Sequence, residues 1–142
     1  MLCSLATPTG IRRVVSLGPS TLRALSTEES KSIIKHYREL YPEAQVLPYD
    51  ALVADYADCN FLQQMVYEHS HIILDGRRII PSESLTNAPD SIVQAYVDGH
   101  KYVGQVHVIL RHYQPGIPSD SVLVGVRWFR PANPVHATHW TA

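Results

Sequence analysis

The run YVGQVHVILRHYQPGIPSDSVLVGVRWFRP, residues Tyr102 to Pro131, decides how this chain is read. Tyr102, Gly104, Val106, Val108 and Leu110 alternate with Val103, Gln105, His107 and Ile109, a period of two that sends side chains to opposite faces of a strand. Gln114-Pro115-Gly116-Ile117-Pro118 interrupts the pattern with turn-forming residues, and Ser121 to Phe129 resumes it. Two antiparallel strands are expected. Gly104, isolated inside the first, is expected to mark a bulge or bend of the kind small barrels need at their corners.

Outward from this pair, two Asp-Gly dipeptides punctuate the chain. Asp98-Gly99 follows the β-rich run Ser91 to Val97, and Asp75-Gly76 separates His71-Ile72-Ile73-Leu74 from Arg78-Ile79-Ile80, the sequence of a tight hairpin. The Ser-, Thr-, Asn- and Pro-rich segment from Pro81 to Pro89 is expected to be a loop. Further upstream, Ser26-Thr27-Glu28-Glu29 has the pattern of a helical capping box. Ile33, Ile34, Tyr37 and Leu40 follow on one helical face, with Lys31, Lys35, Arg38 and Glu39 opposite, and Tyr41-Pro42 is expected to end the helix. Between 48 and 67, Leu52, Val53, Tyr56, Phe61, Leu62, Met65 and Val66 recur at spacings that suggest a pair of short helices.

The expected fold class is therefore α+β, an N-terminal helix or helices followed by a small antiparallel β-barrel of SH3-like or BAH-like kind. The division is a disordered arm or linker at 1–25, a helical extension at 26–67, the barrel at 68–135 and a tail at 136–142. With 142 residues, 45% of them apolar, the chain suits one domain with a modest core. No internal repeat stands out.

Formal net charge is −1, which leaves the chain without the cationic excess that binding to phosphate backbones draws on, so direct nucleic-acid binding is disfavoured. Charge is uneven: residues 1–27 carry Arg12, Arg13 and Arg23 with no acid, so the remainder carries −4. An acid-free, Arg- and Ser-containing start is one feature of a mitochondrial transit peptide, but Gly10 and Gly18-Pro19 interrupt an amphipathic helix there. Cys3 and Cys59 make no disulfide framework or metal knuckle and are expected to be free thiols in a reducing compartment. With no apolar run of spanning length, the expectation is no membrane partner and an intracellular location, nuclear or cytoplasmic.

At two levels the residues resemble known families. Tyr102-Val103-Gly104-Gln105-Val106 and Val126-Arg127-Trp128-Phe129-Arg130-Pro131 look like the strand pair of the bromo-adjacent homology (BAH) domain. Over His71 to Pro131, the successive slots Ile73-Leu74-Asp75-Gly76, Ser82-Glu83-Ser84, Ala95-Tyr96, Gly104-Gln105-Val106 and Arg127-Trp128-Phe129 resemble the C-terminal β-rich region of transposase-like proteins from fungal and plant DNA transposons of the CACTA type. The resemblance implies a truncated or decayed transposon-derived copy acting as a non-catalytic accessory or binding module. Nothing upstream resembles the catalytic domain of such proteins. The implied partner is a peptide or protein, of chromatin or of the parent transposase, and no cofactor is implied.

Candidate binding residues follow from the aromatic and basic content of the same stretch. Trp128 and Phe129, adjacent in a strand, point to opposite faces. Trp128 with Tyr96, Tyr102 or Tyr113 would make an aromatic surface for a peptide or a methylated-lysine cation, bordered by Arg127 and Arg130 with Lys101 and Arg111. The plain alternative is that the rings are packing and the cations ordinary surface.

Eight histidines raise a second class of function, a small metal-dependent or hydrolytic enzyme. His69-x-His71 and His136-x-x-His139 are the only suggestive spacings, and neither brings an evident third ligand, so no metal site is assigned. His107 and His112 are expected at the barrel rim in hydrogen-bonding roles. Neither a Gly-x-Ser-x-Gly elbow nor a phosphate-cradling glycine loop occurs, Cys59 with His36 is no recognisable dyad, and Asp50, Asp55 and Asp58 lack the calcium-loop pattern, so no catalytic residue is assigned.

Overall fold

The computed structural model describes residues 2–4, 15–52, 60–82, 89–97, 99–118 and 120–129. It is a mixed α+β fold in which one helix packs on antiparallel sheets, the larger curled into a half-barrel. That sheet is built on a long ribbon, β10 (His100–His112) against β11 (Ser121–Trp128). The short strand β1 (Leu2–Ser4) pairs with the far edge of β11. The other edge of β10 is shared: β9 (Ile92–Val97) takes its first half, and β6 (Met65–His69) pairs at Leu110 and Arg111 and carries β3 (Ser20–Ala24) beyond it. A strand that serves two successive partners on one edge has to bend between them.

The bend is a β-bulge. Register runs Val106 opposite Val126 and then Val108 opposite Gly125, so His107 is the extra residue. Alternation is thereby reset. Val106 and Ile109 share one core with Val124 and Val126, while Val108 and Leu110 enter another with Leu123. The sequence reading placed Val106 and Val108 on one face and the irregularity at Gly104. Period-two counting cannot detect a residue left out of the ladder, and Gly104 answers to a different constraint, described below.

Each face of the ribbon has its own cover. On one lies α1 (Thr27–Leu40), which buries Ile33, Ile34 and Tyr37. On the other lies a three-stranded sheet, β2 (Val15–Leu17), β7 (Ile72–Leu74) and β8 (Arg77–Ile79), which buries Ile72, Leu74 and Ile79. The β7–β8 hairpin is the expected one: Asp75 and Gly76 adopt φ of 51° and 83°, the paired positive values of a two-residue type I′ turn.

The helix begins with the expected reciprocal cap. The Glu29 N–H donates to Ser26 Oγ at 3.1 Å and the Ser26 N–H to Glu29 Oε1 at 2.9 Å. It ends before Pro42, which opens a single 3-10 turn (Pro42–Ala44). Leu40 is exposed, contrary to its expected place on the buried face. Tyr41 packs there instead, one turn on from Tyr37.

Two further expectations are corrected. The helix pair expected between 48 and 67 is absent among the described residues, 53–59 lying outside them. β4 (Val46–Leu47) pairs in parallel with β5 (Asn60–Phe61), and 65–69 form β6. Within β6, Met65 and Tyr67 are exposed while Val66 is buried, an alternation that only becomes visible once β3 and β10 flank it. The arm assigned to 1–25 supplies β2 and β3 from its described residues; local composition offers no such signal because the order comes from pairing with β6 and β7.

Arg23 shows why. Its guanidinium grips Glu29 of α1 at 2.7 and 2.8 Å and Glu68 of β6 at 2.8 and 3.0 Å, fastening helix to sheet. The hydrogen bond from Arg23 holds the Glu29 carboxyl down to about 2, and Glu29 in turn raises Arg23. For a partly exposed bidentate pair, Arg23→Ala is expected to cost about 1 kcal/mol at pH 7. A carboxyl depressed in the folded state stabilises above its usual value near 4.5 and loses that contribution as pH falls toward 2. Urea midpoints of the wild type and Arg23→Ala should therefore differ at pH 7 and converge toward pH 2.

Candidate binding surface

Trp128 ends β11 directly opposite Gly104 of β10. A Cβ on Gly104 would lie 2.6 Å from Val126 Cγ1, 2.7 Å from Trp128 Cε3 and 2.9 Å from the Arg127 carbonyl oxygen. The glycine is there so that the indole can lie across the strand. In that place Trp128 packs against the β2–β7–β8 core and meets the ring of Tyr102, two residues before Gly104, edge to face at 6.2 Å between centroids and 64° between planes. Both rings are half-buried. Phe129, just beyond the strand, is 39% exposed and held by its N–H to the Val103 carbonyl at 2.9 Å, so the two adjacent aromatics do divide between core and solvent.

The other residues expected at this surface are dispersed. Arg127 is exposed, but it pairs with Gln105, and alternation turns it to the face away from Trp128. Tyr113 is 59% exposed at the opposite end of β10, nine residues beyond Gly104, which at ~3.3 Å per residue is roughly 30 Å along the ribbon. Arg111 is near that end too, over the Tyr67 ring at 4.6 Å and 3.4 Å from Asp120. Lys101 pairs with Tyr96 across the β9–β10 ladder. The Tyr96 side chain and Arg130 lie outside the described residues. Of the expected constellation, the structure brings together Tyr102 and Trp128.

The histidines take separate structural places. The His69 ring bonds through Nδ1 to the Gly18 carbonyl at 2.7 Å, and Arg111 Nε donates to its Nε2 at 3.4 Å. His71 covers the Cα of the same glycine, where a Cβ would come within 2.5 Å of its ring, and it bonds to Ser70 Oγ at 3.1 Å. Among the described residues, no three His, Cys, Asp or Glu side chains converge as a metal site would require. His136 and His139 lie outside those residues, as do Cys59 and the side chain of Cys3.

His112, expected at a rim, is completely buried. Its Nδ1 is 2.7 Å from Tyr37 Oη of α1 and its Nε2 2.8 Å from the Gln63 carbonyl oxygen. A carbonyl only accepts, so Nε2 carries the proton and Nδ1 accepts from the tyrosine. Burial pushes His112 below its usual value, and burial pushes Tyr37 up to about 12. Beside them Gln114, also completely buried, accepts from the Gln63 N–H at 2.9 Å and donates to the Phe61 carbonyl at 2.9 Å. These side chains stand in for ladder bonds where the chain passes from β5 to β6. With both ring nitrogens engaged inside the core, His112 is a hydrogen-bonding centre. Sequence reasoning missed the network because its partners are far apart in the chain.

Comparison with protein-family models, with curated proteins and with solved structures returns no match to this chain.

Proposed function

We propose that this chain is a non-catalytic accessory or binding module derived from a transposon-encoded protein, its half-barrel a variant of the SH3-like or BAH-like barrel. Its partner is a peptide or protein segment, of chromatin or of the parent transposase, held at the Tyr102–Trp128 corner in an intracellular setting. The observation that carries this reading is the edge-to-face pair of rings laid over Gly104. Two rigid rings offer a large contact area that loses little side-chain entropy on binding, and an indole face is the best aromatic partner for an organic cation. The resemblance of the ribbon to the BAH strand pair and of 71–131 to the transposase-like region supports the ancestry.

The test is titration of the full chain, in a Trp140→Phe background so that Trp128 alone reports, with basic peptides carrying free or trimethylated lysine and with duplex DNA. Saturable quenching by peptide is expected, weakened at least tenfold by Tyr102→Ala and unaffected by Tyr113→Ala, 30 Å away by the ~3.3 Å rise of a strand; Trp128→Ala, which removes the reporter, is read by calorimetry and should weaken binding as much. Peptide binding insensitive to Tyr102 and Trp128 would remove the corner. Binding to DNA alone, steeply weakened by salt, would replace the reading with a nucleic-acid module.

A further inference from the structure

We propose that the helix side of the half-barrel is a pH-gated surface: protonation of His112 uncouples α1 from the sheet while the core on the opposite face stays closed. The ribbon β10–β11 has two independent cores, and they differ in kind. The buried residues facing β2–β7–β8 are all aliphatic: Ile72, Leu74, Ile79, Val106, Ile109, Val124 and Val126. The core facing α1 is bridged by the Tyr37–His112 hydrogen bond. A second proton on the imidazole meets a hydroxyl that is donating to the same nitrogen. Nδ1 already receives the Tyr37 hydroxyl, so a proton placed on it forces Tyr37 to reverse its bond and disturbs the Ser121 hydroxyl that bonds to the same oxygen.

The charge would be only partly compensated. The groups facing His112 are Tyr37 from α1, with His36 tilted against the Tyr37 ring at 5.8 Å, the Gln63 carbonyl ahead of β6, and Ser121 and Asp120 at the start of β11. Asp120 favours the charged imidazole, but it is 3.4 Å from Arg111, which shares its charge. Burial raises Tyr37, with Tyr41 and Asp120 acting in the same sense and the Ser121 hydroxyl against. Burial also holds His36 below its usual value, with Glu39 acting in the opposite sense. Both histidines therefore take up protons more readily when α1 is undocked, and acid favours undocking. Among the described residues, the buried members of the aliphatic core include no titratable group, and Trp128 of the Tyr102–Trp128 corner packs against that core, so the binding proposed there is expected to persist in acid.

The experiment is amide exchange by NMR on the full chain from pH 7.5 to 5.0, taking the protection of Ile33 to Tyr37 relative to Ile109 and Val124 in the same sample. Each uncompensated proton changes the opening equilibrium by up to about tenfold per pH unit, so this ratio should fall by up to tenfold per unit below 6.5, and more steeply where His36 joins. The fall should coincide with titration of the His112 ring followed by its Cε1–H resonance. His112→Gln, whose amide can donate to Gln63 and accept from Tyr37 without titrating, should flatten it; should that variant not fold, the wild-type ring titration still decides. Parallel loss of protection on both faces overturns the proposal. So does a ratio unchanged to pH 5.0, whether or not the ring protonates, or a His112→Gln chain that responds as the wild type does.

Discussion

Replacing Ile109 with alanine is expected to lower the unfolding free energy by about 2–5 kcal/mol, the range for truncating a buried aliphatic residue whose cavity cannot collapse. Ile109 is completely buried opposite Val124, between the ribbon and the β2–β7–β8 sheet, and pairing with β11 holds its backbone in place. The size of the loss tests burial; its coupling tests the bulge. Because His107 is left out of the ladder, Ile109 shares its core with Val106, whereas Val108 packs on the helix side. In double-mutant cycles read by chemical denaturation, Val106→Ala with Ile109→Ala should deviate from additivity by 0.5 kcal/mol or more. Val108→Ala with Ile109→Ala should add to within about 0.5 kcal/mol. Additivity of Val106 with Ile109, together with coupling of Val106 to Val108, would mean a regular strand without the extra residue.

His112→Ala should be comparably costly at neutral pH, about 3 kcal/mol or more. It opens a void in the helix-side core, leaves the Tyr37 hydroxyl with Ser121 alone and strands the Gln63 carbonyl, a buried group worth about 1–3 kcal/mol without a partner. Tyr37→Phe, which keeps the ring and removes the bonds to His112 and Ser121, should cost about 1–3 kcal/mol. The penalty for His112→Ala should shrink in acid. A histidine depressed in the folded state contributes fully above its usual 6.5 and loses that contribution as pH falls toward the folded value, so wild type and variant converge there. Thermal or urea unfolding at pH 7.5 and 5.5 distinguishes the outcomes, and equal penalties at both would show that the buried ring is not held neutral.

Features encoded by neighbouring residues were legible from the chain. The capping box at Ser26 to Glu29 needs only a hydroxyl and a carboxylate three positions apart, and it formed. Asp75-Gly76 tolerates the positive φ of a tight turn, which fixed the β7–β8 register. The apolar alternation of 102–110 and 121–129 identified the central ribbon, within which Trp128 and Tyr102 meet. Trp128 is opposite Gly104 by strand pairing, two residues beyond Tyr102.

What the chain could not disclose depends on groups far apart along it. Tyr37 and His112 are separated by 75 positions and Arg23 and Glu68 by 45, and neither pair has a local signature. Arg23 counted as uncompensated charge in an acid-free arm until the fold brought two carboxylates to it. Phe61, Leu62, Met65 and Val66 carry helical spacing, yet β3 and β10 supply 65–69 with ladder partners on both sides, and those long-range hydrogen bonds outweigh a weak local preference. Tyr113 and Arg127 had the right chemistry for the aromatic corner but lie 30 Å away, at ~3.3 Å per residue, and on the reverse face. By itself the sequence determined which segments turn, start a helix or form the ribbon, because those are energies of adjacent residues. The tertiary structure alone decided which face each residue occupies beyond the bulge and which polar groups share a core, because one unpaired residue resets alternation and burial makes a distant partner obligatory.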